Sequence, residues 1–425
     1  MNVGVVVYGG LDRTSGGYRY DRKLVSHLRK AGDSVSIISI PDGGYGRRLT
    51  HGVSRSLRRR LANEYDVLIQ DELCFPSLWR HNRKLDGPLL VSLVHLLRTP
   101  MLSRTSSLTS IPSGGSTLGR IRTGIGGARL SIDQRLSGAL ERRYLDSVDA
   151  AICTSRHTES ALGCLLGAPE SLSSPPSLPT LVAYPGGRRE NISEQSRDFS
   201  TGNEPRNEST SPAGTITFVG NLEPRKGVHD LFDALERLLA RSQRARNWRV
   251  NVVGSQEKRP AYARAIRQRA AELEPSMTLA LTGRVSRPQL EQILAETDIL
   301  AVPSYYESFG MVYLEAMEFG AVPVASSAGG ASELVEDGVN GCLVEPGAPD
   351  QLADHLSRLV TEERYREELS AKALETAREH PNWEHSMARI RAFLLALLAD
   401  ETANQPGGVT GDSHPASGRI AGERG

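Results

Sequence analysis

A chain of 425 residues is too long for one core, and its 39% hydrophobic, 24% charged and 5% aromatic content is that of a globular protein packed mainly with aliphatic side chains. Cys74, Cys153, Cys164 and Cys342 lack C-x-x-C spacing, which argues against a disulfide framework or zinc module and for a reduced compartment. No apolar run approaches the ~20 residues of a membrane-spanning helix, and the formal charge of +1 conceals +9 over residues 1–186 (24 Lys/Arg against 15 Asp/Glu) and −8 over the remainder (27 against 35).

The opening run V-G-V-V-V-Y is too short and too poor in basic residues for a signal peptide, so it reads as a first strand. With S-V-S-I-I-S-I, Y-D-V-L-I-Q, L-L-V-S-L-V-H, A-A-I-C-T-S and T-L-V-A-Y it forms a series of apolar segments without strict alternation. That pattern predicts strands buried on both faces of a parallel sheet, hence a Rossmann-like half. Gly16 and Gly17 follow the first strand and open a helix, where backbone without side chains can approach a phosphate. Basic clusters fall at Arg47–Arg60 and across Arg98–Arg143, and the chain holds 45 Arg but only 6 Lys. Such clusters suit a membrane surface, a lipid-linked acceptor or nucleic acid, although arginine bias alone also explains them. Residues 102–127, rich in Ser, Gly and Thr, predict a loop at the edge of a cleft.

From Pro185 to Gly214 the apolar periodicity disappears, which predicts a hinge with a surface insert. The alternation then resumes. T-I-T-F-V, W-R-V-N-V-V-G, M-T-L-A-L-T-G, D-I-L-A-V-P-S, V-P-V-A-S and C-L-V predict strands, with helices over 227–240, 262–272, 288–297, 311–318 and 349–361. The expected organisation is an N-terminal domain over 1–186, a linker over 187–213, a C-terminal domain over 214–381, a helix over 382–400 and a tail over 401–425.

The chemistry concentrates in E-S-F-G-M-V-Y-L-E, where Glu307 sits in a loop and Glu315 on the second turn of the following helix. A carboxylate can grip a vicinal diol, and a helix start offers free N–H groups to an anion. On this local pattern a nucleotide-sugar pocket and ordinary helix-start charges both remain open. The continuation A-M-E-F-G-A-V-P-V-A-S-S-A-G-G-A-S-E-L-V and V-E-D-G-V-N-G-C-L-V-E-P-G decides between them. Together these segments resemble the donor-binding half of the retaining glycosyltransferases of family 4, closely over 215–400 and more loosely over 1–186.

That resemblance implies the α/β GT-B fold: two Rossmann-like domains facing across a cleft, with a C-terminal helix crossing back to the N-terminal domain. It implies transfer of a hexosyl-type unit from a nucleoside diphosphate sugar to an acceptor hydroxyl. By the same carry-over Glu315 holds the ribose diol, Glu307 the donor-sugar hydroxyls, and the backbone at Phe309, Gly310 and Met311 orients the sugar. Gly16 and Gly17 match the family's glycine loop, His95 its histidine near the donor sugar, and Val285, in Gly283-Arg284-Val285, its base contact. Lys226 matches the lysine that pairs with the leaving diphosphate. Asn221 stands where the family often has arginine, so a charge is missing there and Arg225 is the candidate to supply it. No D-x-D motif accompanies these acids, so no metal or other cofactor is expected.

Expected partners are the donor, a sugar or lipid-linked acceptor and an anionic membrane surface, without nucleic acid. The expected location is the cytoplasm, peripheral to the inner membrane face. A sugar-nucleotide epimerase of the same fold, a glycogen- or sucrose-type synthase and a non-catalytic sugar-nucleotide binder remain the rival readings.

Overall fold

The computed structural model describes residues 1–13, 15–105, 136–167, 178–187 and 212–404. In chain order the first half runs β1 (Asn2–Tyr8), α1 (Gly16–Lys30), β2 (Ser34–Ile40), α2 (Tyr45–His51), α3 (Arg55–Leu61), β3 (Val67–Asp71), α4 (Phe75–Asn82), β4 (Leu89–Val94), α5 (Arg98–Thr105), α6 (136–145), β5 (Ala150–Cys153), α7 (Arg156–Leu166) and β6 (Thr180–Val182). The second half runs β7 (Gly214–Val219), α8 (Val228–Arg241), β8 (Trp248–Val253), α9 (Pro260–Leu273), β9 (Thr278–Gly283), α10 (Arg287–Ala295), β10 (Ile299–Val302), α11 (Met311–Met317), β11 (Val322–Ser326), β12 (Cys342–Val344), α12 (Pro349–Thr361), α13 (Glu363–Glu379) and α14 (Trp383–Asn404).

Each half builds a six-stranded parallel sheet, ordered β2-β1-β3-β4-β5-β6 and β12-β11-β10-β7-β8-β9. The strand period of two explains the continuous apolar runs. Val3, Val5 and Val7 point into a core shared with α1 and α14, whereas Val6 and Tyr8 point into a second core under Phe75, Leu78 and Tyr144. The second sheet packs its helices into one large core around Phe218, Phe232, Leu300 and Tyr313.

The C-terminal helix crosses back as expected. Trp383, Met387, Ile390 and Leu394 are buried in the core of the first domain, and Arg391 pairs with Asp33 at 2.8 Å. Where the chain leaves β6 it runs beside the start of this helix: Gly187 N–H donates to the Pro381 carbonyl at 3.0 Å, and the Pro185 carbonyl lies 2.9 Å from His380 Nε2. A Cβ on Gly186 would run into the backbone of Asn382 and Trp383, so the two crossing strands of chain touch without intervening side chains.

Several expectations change. Residues 102–105 belong to α5 rather than a loop, and α14 continues to Asn404, into the stretch expected to be a tail. The rest of the 102–127 loop, the linker over 188–211 and the tail beyond 404 lie outside the described residues. Helix α13 was not anticipated, because its apolar stripe of Leu369, Ala373, Leu374 and Ala377 is narrow within a charged surface. No helix among the described residues is long and apolar enough to cross a membrane.

Candidate active site

The ends of both sheets meet at the loop over residues 303–310. Gly310 takes a left-handed φ of +86° and starts α11, placing Glu307 before the helix and Glu315 on its second turn. The pocket side of this loop is fixed by backbone. Gly330 N–H donates to the Glu307 carbonyl at 2.9 Å, while Cβ atoms on Gly329 and Gly330 would collide with the carbonyls of Glu307 and Ser308. The backbone N–H groups of Phe309, Gly310 and Met311 find no acceptor among the described residues. The Phe309 side chain is buried against Tyr184 and His380, with ring centroids 5.7 and 5.5 Å apart.

Lys226 ends a short 3-10 turn and forms an ion pair with Glu307. Ser304 Oγ donates to the same carboxylate oxygen at 3.2 Å. Burial raises the Glu307 pKa, but Lys226 and then Arg225 outweigh it and hold the acid below its usual value. Burial likewise pulls Lys226 down against the opposing pull of Glu307. Each group therefore needs the other to stay charged. The Arg225 side chain donates to the Tyr306 carbonyl at 2.9 Å and makes no other hydrogen bond among the described residues, while the Arg225 carbonyl accepts from Tyr305 N–H at 2.8 Å. The Asn221 side chain likewise makes none. Gly227, at φ +68°, lets α8 begin directly against the Pro303 carbonyl.

Glu315 is not an open carboxylate. Arg287 Nη1 donates to its Oε1 at 2.8 Å, and Arg19 Nη1, from α1 of the opposite domain, pairs with that same oxygen. Arg19 also lies over the Trp383 ring, 5.5 Å from its centroid. Val285 is half-buried two residues before Arg287, between the end of β9 and the Ser286–Gln289 capping box that starts α10.

The glycine loop faces this constellation. A Cβ on Gly16 would collide with Met311 Cε, and one on Gly17 would lie 3.2 Å from the His95 ring. His95 follows β4 and is 9% exposed. Its Nε2 lies 2.8 Å from Asp21 Oδ1, and its backbone N–H donates to Glu72 at 2.8 Å. Burial pushes Asp71 up to about 6 and Glu72 well above the usual range, each further raised by a neighbouring acid.

The structure thus brings Gly16, Gly17, His95 and Met311 together at the cleft, and Lys226, Arg225 and Glu307 together within the C-terminal domain. Arg19, Arg287, Asp21, Asp71 and Glu72 were missed. Arg19 and Asp21 do sit in the helix opened by the two glycines, which is the one sequence signal for them. Further contacts close the cleft: Ser155 Oγ donates to the Ser308 carbonyl at 2.7 Å, and Glu333 accepts from Arg156 N–H at 2.9 Å, His157 N–H at 2.6 Å and Tyr184 O–H at 2.7 Å. Elsewhere, ligand atoms of Asp337, Cys342 and His355 lie within 4.8 Å of one another, although their sequence spacing had given no hint of a metal cluster.

Residues 203–376 match the family model of the glycosyl transferases group 1. The D-inositol 3-phosphate glycosyltransferase of a Nocardioides species is 34% identical over 182 residues, covering 41% of this chain and 40% of that protein. The enzyme of the same name from Corynebacterium efficiens is 35% identical over 198 residues, 46% of this chain and 45% of that protein. The chain therefore matches less than half the length of these relatives. Sucrose-phosphate synthase from Thermosynechococcus elongatus superposes with a TM-score of 0.70 at 19% identity, covering 94% of this chain and all of that one. Anabaena Alr3699/HepE in complex with UDP and glucose gives 0.63 at 20% identity, covering 93% and 100%. The two parallel sheets facing across a cleft are the GT-B fold, and residues 203–376 are similar to the glycosyl transferases group 1.

Proposed function

We propose that the protein is a retaining glycosyltransferase that moves a hexosyl unit from a nucleoside diphosphate sugar to an acceptor hydroxyl. The observation that carries this reading is the Lys226–Glu307 ion pair beside Arg225. It supports the reading because a largely buried cation suits a leaving diphosphate and the adjacent carboxylate suits sugar hydroxyls. In the reaction the bond from the anomeric carbon to the phosphate oxygen breaks, and the bond to the acceptor oxygen forms on the same face. The acceptor proton passes to the departing phosphate oxygen. Lys226 and Arg225 stabilise the charge that develops there, in a site from which water is largely excluded. Glu307 orients the sugar, Glu315 takes the ribose diol once a guanidinium yields, and the free N–H groups at 309–311 receive oxygens of the donor. Gly16 and Gly17 give the diphosphate room, His95 faces the sugar, and Asn221 and Val285 line the nucleotide side. The diphosphate charge is met by these side chains, without a metal.

The acceptor reading rests on the first domain. Arg55, Arg58, Arg80, Arg83 and Lys84 border a cavity of about 660 Å³ next to Trp79, and Leu49 and Val53 are exposed beside it, Val53 at 65%. This face suits a phosphate-bearing or lipid-linked acceptor at the cytoplasmic side of the membrane, for synthesis of a glycolipid, polysaccharide or envelope glycan. The relatives named for inositol 3-phosphate and the HepE complex with UDP-glucose give the first compounds to try. The test is release of nucleoside diphosphate from UDP-, GDP- and ADP-sugars across an acceptor panel, with the anomeric configuration of the product read by NMR. Tight donor binding without turnover, or an inverted product, overturns the reading.

A further inference from the structure

His95 is held from one side only. Asp21, on α1, engages Nε2, and the Cγ–Cδ2 edge lies against Gly17. The Tyr20 ring packs edge-on at 5.3 Å. Glu72 fixes the backbone by accepting from the N–H groups of His95 and Leu96 at 2.8 and 3.1 Å. The remaining ring nitrogen, Nδ1, has no partner among the described residues, yet it is absent from the fully buried unpartnered atoms, which include Asp21 Oδ2. The open edge of the imidazole is therefore its Nδ1 edge.

We infer that Asp21 is a positioning residue that holds His95 by Nε2 so that a charged Nδ1–H is presented to the phosphate-bearing donor above Gly16 and Gly17. The inference rests on the proposed glycosyl transfer. Its chemistry follows from the tautomers. An uncharged imidazole that donates from Nε2 to a carboxylate has a bare Nδ1, which accepts and would repel an anion. Only the doubly protonated ring donates from both nitrogens. Asp21, Asp71 and Glu72 are the acids facing the ring, from α1, the end of β3 and the turn after it. Burial lowers the His95 pKa, but Asp21 first, then Glu72 and Asp71, reverse this and push it up to about 9. The ring is thus charged at neutral pH. Asp21 Oδ2, buried without a hydrogen bond, has the imidazolium as its compensating charge.

The experiment is the NMR titration of the His95 ring in the full chain, assigned by comparison with His95→Gln, together with pH–rate profiles of the native protein and Asp21→Asn. Asparagine can pair with either tautomer but cannot hold the charge. The native ring should titrate above pH 8, and in D21N at or below pH 6.5. At pH 8 kcat/KM of D21N should fall ~10-fold or more, with most of the loss recovered toward pH 6 as the ring regains its proton. A merely structural role would lower both profiles in parallel. A native His95 that titrates near 6.5 overturns the inference even if D21N fails to fold, and so do parallel profiles. The titration needs no substrate. A charged His95 in a chain that turns over no sugar nucleotide refutes the glycosyltransferase reading, whereas a neutral His95 in an active enzyme refutes this inference alone.

Discussion

Replacing Arg19 with Ala should tighten binding of a nucleoside diphosphate, the opposite sign to that expected for an ordinary site residue. Arg19 and Arg287 both use Oε1 of Glu315, so a ribose diol that needs the carboxylate has to displace one of them. Arg287 belongs to the same domain as Glu315 and is also paired with Glu291 at 3.0 Å. Arg19 comes from across the cleft, so it is the guanidinium that yields. Its side chain is 21% exposed and that of Glu315 11%. The pair thus lies between exposed pairs, worth ~0–1 kcal/mol, and buried ones, whose breaking costs ~3–5 kcal/mol. Because Arg287 stays on the carboxylate, removing Arg19 strands no charge, and the lower end applies.

About 1 kcal/mol corresponds to roughly five-fold in affinity. Isothermal titration of UDP, GDP and ADP into the native chain and R19A measures it. Arg287→Ala is the control and should weaken binding, since it leaves Glu315 to Arg19 alone. Weaker binding to R19A would show that Arg19 belongs to the nucleotide site or that its closing of the cleft outweighs its competition for Glu315, and would refute the reasoning.

Lys226→Ala should lower kcat by ~100-fold or more in a steady-state assay while leaving the fold intact by circular dichroism, because under the proposed mechanism the lost charge acts on the departing diphosphate. Changing Arg55, Arg58, Arg59 and Arg60 to Gln should abolish salt-sensitive co-sedimentation with anionic vesicles. Each basic residue near such a surface contributes ~1 kcal/mol, and equal partitioning to neutral vesicles would return these arginines to compositional bias. The His95–Asp21 pair should also mark stability. The folded pKa of His95 lies at about 9 against 6.5 for the free ring, so its contribution is complete below pH 6.5 and is lost as pH rises through 9. The difference in melting temperature between native and H95Q protein should therefore shrink from pH 6.5 to 9.

The sheets were legible because buried parallel strands write themselves as short apolar runs, and the loop carrying Glu307 because its signature is long. Met311 begins a helix where expected, and His95 stands at the cleft end of its strand. The partners of these residues were not legible, since nothing local marks a pair 296 positions apart such as Arg19 and Glu315. Charge also hid packing. The Arg47–Arg60 cluster reads in the sequence as one basic patch suited to phosphate-bearing partners, yet Arg48 pairs with Asp42 at 2.8 Å and lies over Tyr8 at 4.3 Å, and the exposed Arg60 donates to the Ser39 carbonyl at 2.9 Å. Helix α13 escaped for the same reason, as its charged face outweighs the stripe that packs.

The segment after the two glutamates has a role that their charges do not reveal. Gly329 holds φ +116° and ψ −159°, a region essentially restricted to glycine, and a Cβ there would collide with the Glu307 carbonyl. Any side chain there must displace the loop that carries Glu307. Gly338 separates this effect from backbone strain alone: it holds φ +72° with nothing within 4 Å of a built Cβ. Gly338→Ala should therefore cost about 1 kcal/mol of stability and leave turnover unchanged. Gly329→Ala should cost ~1–3 kcal/mol from strain alone and also reduce kcat, because the Lys226–Glu307 ion pair, proposed to meet the diphosphate, loses its geometry. Thermal melts and kcat for both variants decide the matter. Equal effects on kcat would mean that contact with the glycine turn does not position Glu307, and that its place is set by Lys226 and Ser304 alone.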